Sequence, residues 1–362
     1  MVGSQVPRRW ACLEPEVGES EAAQLGLGVS GPVALTGATG FLGTHLASAL
    51  ARAGVRARLL VRDVRRLDGE IRRAHDVVVG DLHDSGALER LVVGCMTVFH
   101  LAGVVRAGRA GEFDLANRQG TQNLLAAAAC AAASARFIYV SSLAACGPSR
   151  DPAGRLPEEP PAPVSAYGRS KLAGEEAVRN HISPWVILRP PAVYGPRDVG
   201  VFQFFRLASH GLVPLPKGEA FVTVAHVADV VRAGLASAGG AADGRVLHIG
   251  EPRPFELGQL VSRLAELGGV RARTILVPKT LVHVAGLVGD LLQRFGVRGV
   301  AITSDKAHEL TTRHWTARTE ESLALLGLSG CVTFDTGAAQ TWEWYRRAGW
   351  LPRAKIRPVS SS

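Results

Sequence analysis

The chain reads as a doubly wound α/β protein, a parallel sheet (Rossmann type) covered by helices on both faces, with a smaller C-terminal lobe. Two observations predict this. Short β-like runs alternate with helical stretches along most of the 362 residues, the order that builds parallel sheets. A glycine-rich turn, Thr36-Gly-Ala-Thr-Gly-Phe-Leu-Gly43, ends the first apolar run and opens a helical one. With 47% hydrophobic and 20% charged residues the chain can bury a large core, which excludes a disordered scaffold.

Residues 1–30 carry Pro7, Arg8 and Arg9 in weak periodicity and are expected to form a flexible extension, with Trp10 a candidate for docking. Strands are expected at 32–36, 56–61, 76–79, 97–101, 136–141, 185–188 and 246–249, with helices in most gaps. The longest helical run, 112–133, is rich in alanine and suits close packing on a sheet. Residues 31–194 should form the dinucleotide-binding domain with the catalytic residues. Residues 195–352 should form mainly the substrate lobe, with segments returning to the main core, and 353–362 a tail. Two irregular stretches, 148–163 and 195–216, have the length of substrate lids. Leu281, Val284, Leu287, Val288, Leu291 and Leu292 recur at helical spacing and read first as a core-facing helix, with a membrane-surface or partner helix as the alternative. Trp342, Trp344, Tyr345 and Trp350 read as the packing of a final helix.

The net charge of +9 comes from scattered arginines with no nucleic-acid signature, so no nucleic-acid partner is expected. The five cysteines, Cys12, Cys95, Cys130, Cys146 and Cys331, lack metal-type or disulfide-type spacing, which points to a reducing cytoplasm and no metal. No stretch is long and apolar enough for a transmembrane segment, and no secretory signal is evident.

Gly37, Gly40 and Gly43 give a Gly-x-x-Gly-x-x-Gly turn opening a helix, whose N-terminal amides can hold a pyrophosphate. Thr39, Phe41 and Leu42 belong to the same cofactor-binding turn. An acidic residue ending the second strand would take a free ribose hydroxyl; here Val61 stands there, followed by Arg62. That favours NADP(H) over NAD(H), with Arg62 on the 2′-phosphate and Arg58, Arg65 and Arg66 as further partners, while Asp63 could still reach the ribose. Asp81 and Leu82, after the third strand, are candidates for the adenine side, a helix N-cap being the alternative for Asp81. Tyr167 and Lys171, at i and i+4, face the same way on a helix, so the ammonium is expected to depress the phenol's pKa for proton transfer.

With His100-Leu-Ala-Gly103, Asn117-Arg-Gln-Gly-Thr-Gln-Asn123, Val140-Ser-Ser142, Tyr167-x-x-x-Lys171 and Leu188-Arg-Pro-Pro-Ala-Val-Tyr-Gly-Pro196 in order, residues 31–350 resemble the extended short-chain dehydrogenase/reductases, in the epimerase/dehydratase branch. The resemblance implies Ser142 as the hydroxyl that binds the substrate oxygen, with Ser141 its rival. It implies Tyr167 as acid or base, Lys171 on the nicotinamide ribose, and Asn117 in a proton relay. Leu101, Ala102, Gly103, Pro190 and Val193 would line the cofactor, and His100 would pack at a strand end. It also implies a homodimer through helices flanking the active site.

Departures from the family narrow the reaction. Dehydratases of this family carry an Asp-Glu pair after the catalytic serine or threonine, where this chain has Leu143-Ala-Ala-Cys146. Ala192 replaces the asparagine common in nucleotide-sugar epimerases, and the Arg-Pro-Pro-Ala-Val-Tyr-Gly-Pro form resembles the 3β-hydroxysteroid dehydrogenase and dihydroflavonol reductase side. Phe202, Phe204, Phe205, Leu207, Leu212, Val213 and Leu215 offer apolar surface for a substrate or for the lobe's own core. Asp229 is expected to cap a helix. The expected activity is hydride transfer between NADP(H) and a carbonyl or secondary alcohol of a fairly apolar small molecule. A sugar epimerase with tightly held cofactor and a non-catalytic cofactor-binding regulator are the alternatives.

Overall fold

The computed structural model describes residues 29, 31–107, 110–295, 297, 300 and 302–352. The expectations for Trp10, the N-terminal extension and the tail lie outside these residues.

Strand β1 (Val33–Thr36) leads through the glycine turn into α1 (Phe41–Arg52), then β2 (Ala57–Val61), α2 (Gly69–Ala74), β3 (Asp76–Val79), α3 (Ser85–Val92) and β4 (Thr97–His100). All four residues of β1 and of β4 are buried, so neither shows alternation; a central parallel strand is covered on both faces. Helix α1 turns Gly43, Leu46, Ala47 and Leu50 toward the sheet at helical spacing. After β4 come α4 (Ala110–Phe113), a π-helical stretch Asp114–Gln119, and α5 (Gly120–Ala131). The expected single helix is therefore broken in register, and the wide turn carries Asn117.

Next follow β5 (Arg136–Val140), a single turn α6 (Leu143–Cys146), α7 (Ala166–Arg179) and β6 (Trp185–Arg189). Beyond these lie β7 (Ala192–Tyr194), α8 (Phe202–Ser209), β8 (Leu212–Pro216), β9 (Phe221–Val222), β10 (Val224–His226), α9 (Val227–Ser237) and β11 (Arg245–His248). The main sheet has seven strands in the order β11-β6-β5-β4-β1-β2-β3, with every pairing parallel. Chain direction across the sheet reverses at β1, between β2 and β4. In such sheets the ligand crevice lies at the carboxyl ends of the strands at that point.

The chain closes with β12 (Phe255–Glu256), α10 (Leu257–Leu267), β13 (Arg273–Val277), α11 (Lys279–Arg294), α12 (Ser304–Thr311), β14 (His314–Trp315), α13 (Glu320–Leu325) and α14 (Phe334–Arg347). A separate core gathers Phe205, Val213, Leu260, Leu264, Trp342, Trp344 and Tyr345. Phe205 meets Trp342 edge-on at 5.2 Å, and Tyr345 stacks on Trp350 at 5.5 Å, as the aromatic ending of the sequence predicts.

Four expectations change. Residues 148–163 do not line the main cavity; Ser149 N bonds His314 O, Arg155 N bonds Thr316 O and Ala162 N bonds Cys146 O, which pins the loop down. Residues 195–216 are not wholly irregular, since they hold α8 and β8. Asp229 is not the cap of α9: His226 occupies that position, and Asp229 is buried and accepts from Val332 N. Helix α11 turns its large apolar side chains outward, and Val282, Gly286 and Gly289 inward.

Candidate active site

The glycine turn is shaped by what it must touch. Gly37 has φ +81°, and a Cβ there would meet Ala102 N at 2.6 Å; one at Gly43 would meet Gly37 O at 2.0 Å. Both are fixed by close backbone packing. A Cβ at Gly40 would meet only Gly37 O, at 3.2 Å, so this glycine instead leaves the helix N-terminus open. Gly40 caps α1 without a side-chain bond, leaving the first-turn amides for an anion. This cradle fits a dinucleotide pyrophosphate, with Thr39, Phe41 and Leu42 around it. A cavity of about 80 Å³ beside it is lined by Thr39, Gly40, Arg66, Asp68 and Arg197.

Arg197 was not foreseen. It pairs with Asp68 across the turn and holds φ +73°, a left-handed backbone that costs a non-glycine residue about 1 kcal/mol. The motif Val-Tyr-Gly-Pro brings the chain to it, but the contact with Asp68 spans 129 residues and no local pattern announces it.

Arg62 follows β2 directly and is exposed. Arg58 is not a phosphate partner: it lies near the start of β2, and its guanidinium donates to Val93 O at 2.6 Å and Leu91 O at 3.1 Å. Arg65 is held by Asp63, whose carboxylate also caps the short helical turn Val64–Arg66 and sits below its ordinary pKa through these bonds. Asp81 does not cap α3; Asp84 does so through Ala87 N at 2.9 Å, and Asp81 accepts from His83 N at 2.8 Å. Leu82 packs against Gly120, where an added Cβ would approach it to 2.7 Å.

At the end of β4, His100 is fully buried between Thr36 Oγ1 at 2.7 Å and Thr121 Oγ1 at 2.9 Å. Burial pushes its pKa down to about 3, so it is a neutral packing residue joining β1 to α5. Leu101 N bonds Thr36 O and Ala102 N bonds Thr36 Oγ1, which sets Leu101–Gly103 along the glycine turn.

Asn117 is engaged on all sides. Its amide nitrogen donates to Ser170 Oγ at 2.9 Å and Val104 O at 3.0 Å, and its oxygen accepts from Val104 N at 2.8 Å. Ser170 in turn donates to Tyr167 O at 2.7 Å. Asn117 thereby ties the π-helical turn to the backbone of Tyr167; its side-chain amide bonds neither the Tyr167 hydroxyl nor Lys171.

Ser142, Tyr167 and Lys171 come together where β5 ends and α7 begins. Ser142 caps α6 through Ala144 N at 3.2 Å, and its hydroxyl stands beside that of Tyr167. Ser141, the rival, is spent on the buried carboxylate of Glu175 at 2.5 Å. Lys171 is 4% exposed, donates to Val140 O at 2.7 Å and lies 4.3 Å over the Tyr139 ring.

The expected depression of the Tyr167 pKa by Lys171 is not found. Desolvation pushes the phenol up to about 12, and the neighbouring Ser142 hydroxyl opposes it. Desolvation also brings Lys171 down to about 7, opposed by Glu175. Desolvated and with its amine turned to the Val140 carbonyl, Lys171 is a weakened cation and gives the phenol little.

Sequence reasoning missed the frame that orients α7. Glu175 and Arg189 form a fully buried, two-pronged ion pair at 2.9 and 2.7 Å, joining α7 to the end of β6. Glu175 lies four residues after Lys171 and eight after Tyr167, so their helical period was the available signal. Pro190 O accepts from Leu143 N at 2.8 Å, and Val193 packs on the main core.

In front of Ser142 and Tyr167 opens a cavity of about 380 Å³. Its far wall is apolar, with Val201, Phe204, Phe205, Val222, Leu257 and Leu260; Tyr194, Lys306 and Glu309 supply polar points. Of the expected apolar set, Phe204 and Phe205 face this space, whereas Phe202, Leu207, Val213 and Leu215 belong to the lobe core and Leu212 is exposed. Ala192 also lines the cavity, at the position where an asparagine was expected for a nucleotide sugar.

A seven-stranded doubly wound sheet, a glycine cradle at its switch point and a serine, tyrosine and lysine beside it define an NAD(P)-dependent enzyme of the extended short-chain dehydrogenase/reductase type. Residues 33–250 match the NAD dependent epimerase/dehydratase family, and the chain belongs to it. It is 35% identical over 332 residues to the ceramide reductase of Caulobacter vibrioides, covering 89% of this chain and 97% of that protein. It is 28% identical over 315 residues to the 4-hydroxy-2-methyl-3-oxo-4-farnesyl-3,4-dihydroquinoline-1-oxide ketoreductase of Stigmatella aurantiaca, covering 84% and 93%. Among solved structures, MoeE5 in complex with UDP-glucuronic acid and NAD superposes with a TM-score of 0.69 at 26% identity, over 88% of this chain and all of that one.

Proposed function

We propose that the protein is an NADP(H)-dependent oxidoreductase acting on the carbonyl or secondary alcohol of an apolar, lipid-like molecule. The observation that carries this reading is the cavity: its floor holds Ser142 and Tyr167, and its far wall is built of aliphatic and phenyl side chains. The ceramide and farnesyl-quinolone reductases among its relatives support the same substrate class.

The nicotinamide, when bound, supplies or accepts the hydride. The chain's own residues do the rest. The glycine cradle holds the pyrophosphate, and Arg62, with Arg66 nearby, takes the 2′-phosphate. Leu101, Ala102, Gly103, Pro190 and Val193 flank the remainder, with Asp81 and Leu82 on the adenine side. Ser142 Oγ and the Tyr167 hydroxyl hold the substrate oxygen together. A phenol near 12 is protonated at neutral pH and ready to donate to an oxygen gaining negative charge. Lys171 holds the ribose and returns a proton to the phenolate after transfer, its amine being reprotonated from solvent, while Asn117 acts by position through Ser170. By the family resemblance we also infer a homodimer, and by the few, widely spaced cysteines a reducing cytoplasm.

The test is a spectrophotometric screen of NADPH oxidation and NADP reduction against long-chain, steroidal and nucleotide-sugar substrates. Turnover of an apolar ketone or alcohol, abolished in Tyr167→Phe, is the expected result. Interconversion of nucleotide sugars without net redox, in protein purified with cofactor attached, would replace the proposal with an epimerase, a reading in keeping with the UDP-glucuronic acid and NAD that MoeE5 binds.

A further inference from the structure

Helix α11 is assembled inside out for a water-facing helix. Its small residues face the protein: a Cβ at Gly286 would meet Ala307 Cβ at 2.9 Å, and one at Gly289 would meet Ile302 O at 1.9 Å. Its large apolar residues face away. Leu281, Val284, Leu287, Val288, Leu291 and Leu292 are between 42 and 64% exposed, and Phe295 at its end is 78% exposed. The strand leading into it exposes Ile275 and Leu276 as well. Such a run exceeds the scattered apolar residues normal on a protein surface and marks an interaction face.

Charge indicates what that face meets. From residue 271 to 295 the chain carries Arg271, Arg273, Lys279 and Arg294 and a single acid, Asp290. The Asp290 carboxylate accepts from Ser304 N, toward α12, while Arg271, Arg273 and Arg294 are exposed. Lys279 turns its ammonium to Thr311 O, while an exposed apolar helix face in a segment with exposed Arg271, Arg273 and Arg294 complements an anionic bilayer, whose acyl boundary takes the leucines and whose headgroups take the arginines. At 16 residues, roughly 24 Å, α11 is too short to cross a bilayer, and none of the described helices qualifies as a span. It would lie in the plane of the interface.

We infer that α11 is a membrane-surface docking helix for anionic phospholipid bilayers. The face also has a connection to the site: α11 packs on α12, and His283 Nε2 lies 3.1 Å from Thr311 Oγ1. Helix α12 contributes Lys306, Glu309 and Leu310 to the wall of the large cavity. A helix lying on lipid would hold that wall beside the membrane. The inference does not rest on the redox assignment, because its test needs no turnover.

The test is flotation of the full chain with vesicles of phosphatidylglycerol and phosphatidylcholine, against vesicles of phosphatidylcholine alone. Binding should require the anionic lipid and weaken as salt rises. Leu287→Glu/Leu291→Glu should cut it by about tenfold or more, with the thermal midpoint and cofactor affinity unchanged. A second variant, Arg271→Gln/Arg273→Gln, leaves the apolar face intact and should weaken binding by about fivefold per charge near the surface. Failure to float with anionic vesicles, or equal flotation of wild type and the leucine variant, overturns the inference. So does sedimentation in which wild type is a dimer and the leucine variant a monomer, since the face would then be covered by a second copy.

Discussion

The two walls of the main cavity follow opposite rules. On the sheet side, Ser142, Tyr167 and Lys171 sit in a dense polar frame, in which the buried Glu175 carboxylate receives Arg189 and Ser141 at once. On the lobe side the wall is apolar, and Phe205 belongs to both cavity and core. The first wall fixes a few atoms and a proton. The second fixes a shape. The difference implies that chemistry and specificity should fail separately when each wall is damaged.

The largest expected effect is on the polar wall. Tyr167→Phe should lower turnover by about 10²- to 10⁴-fold while leaving NADPH affinity, read by calorimetry, near wild type. The hydroxyl lies beside Ser142 and the ring beside Phe113 at 5.9 Å, so the variant keeps its packing. A variant with wild-type turnover would break the assignment.

Removing Glu175 should destabilise the fold and not merely slow the enzyme. Glu175→Gln leaves the Arg189 guanidinium, which is completely buried, without its counter-charge. A broken buried pair costs about 3–5 kcal/mol, measurable as a lower urea midpoint at constant slope. The double variant Glu175→Leu/Arg189→Met, which removes both charges, should regain most of that loss.

Phe204 and Phe205 test the apolar wall from within. Phe205 is 1% exposed and touches Trp342 and Tyr345, so Phe205→Ala should cost about 3–5 kcal/mol of stability. Phe204 lines the cavity but is only half-buried. Phe204→Ala should spare the fold and raise KM for an apolar substrate by about tenfold, the loss expected for a methylene or two of pocket contact, with kcat nearly unchanged.

The same contrast explains what the sequence disclosed. The glycine turn and Tyr167-x-x-x-Lys171 are short patterns whose function demands particular residues at fixed spacing, and all seven sheet strands were legible to within a residue or two at each end because parallel strands are continuous apolar runs. Arg197 with Asp68, and Glu175 with Arg189, join distant segments, so no window of sequence contains them. The cavity wall was hidden for another reason: Phe204 and Phe202 are two residues apart and chemically identical, yet one faces the cavity and the other packs in the core. Helix α11 carried a clear periodicity, and its first reading as core-facing failed because spacing defines a face without saying what lies against it.

Charge on Lys171 gives a pH-dependent effect. Its folded pKa of about 7 lies below the ordinary 10.5, so between those values the folded chain binds fewer protons than the unfolded one. For this group, stability falls as pH drops through that window and is flat below it. Lys171→Met should remove that slope, seen as a smaller difference between urea midpoints at pH 9.5 and 7. Tyr167 gives the kinetic counterpart. With its pKa near 12, substrate reduction should hold across the alkaline range, while oxidation, which needs the phenolate, should rise by about tenfold per pH unit.

The smallest effect concerns the cofactor. Arg58 and Arg65 are committed to backbone carbonyls and to Asp63, which leaves Arg62, at the end of β2, and Arg66, at the rim of the small cavity, as the cations we propose for a 2′-phosphate. Both are exposed, and an exposed charge pair contributes about 1 kcal/mol or less. Arg62→Gln should therefore weaken NADPH binding by no more than about fivefold and leave NADH unchanged, with Arg66→Gln adding a similar step. Equal affinity of the wild type for NADPH and NADH would show that the arginines here are solvated surface charges. It would also leave both walls of the cavity as described, since neither depends on which dinucleotide the cradle holds.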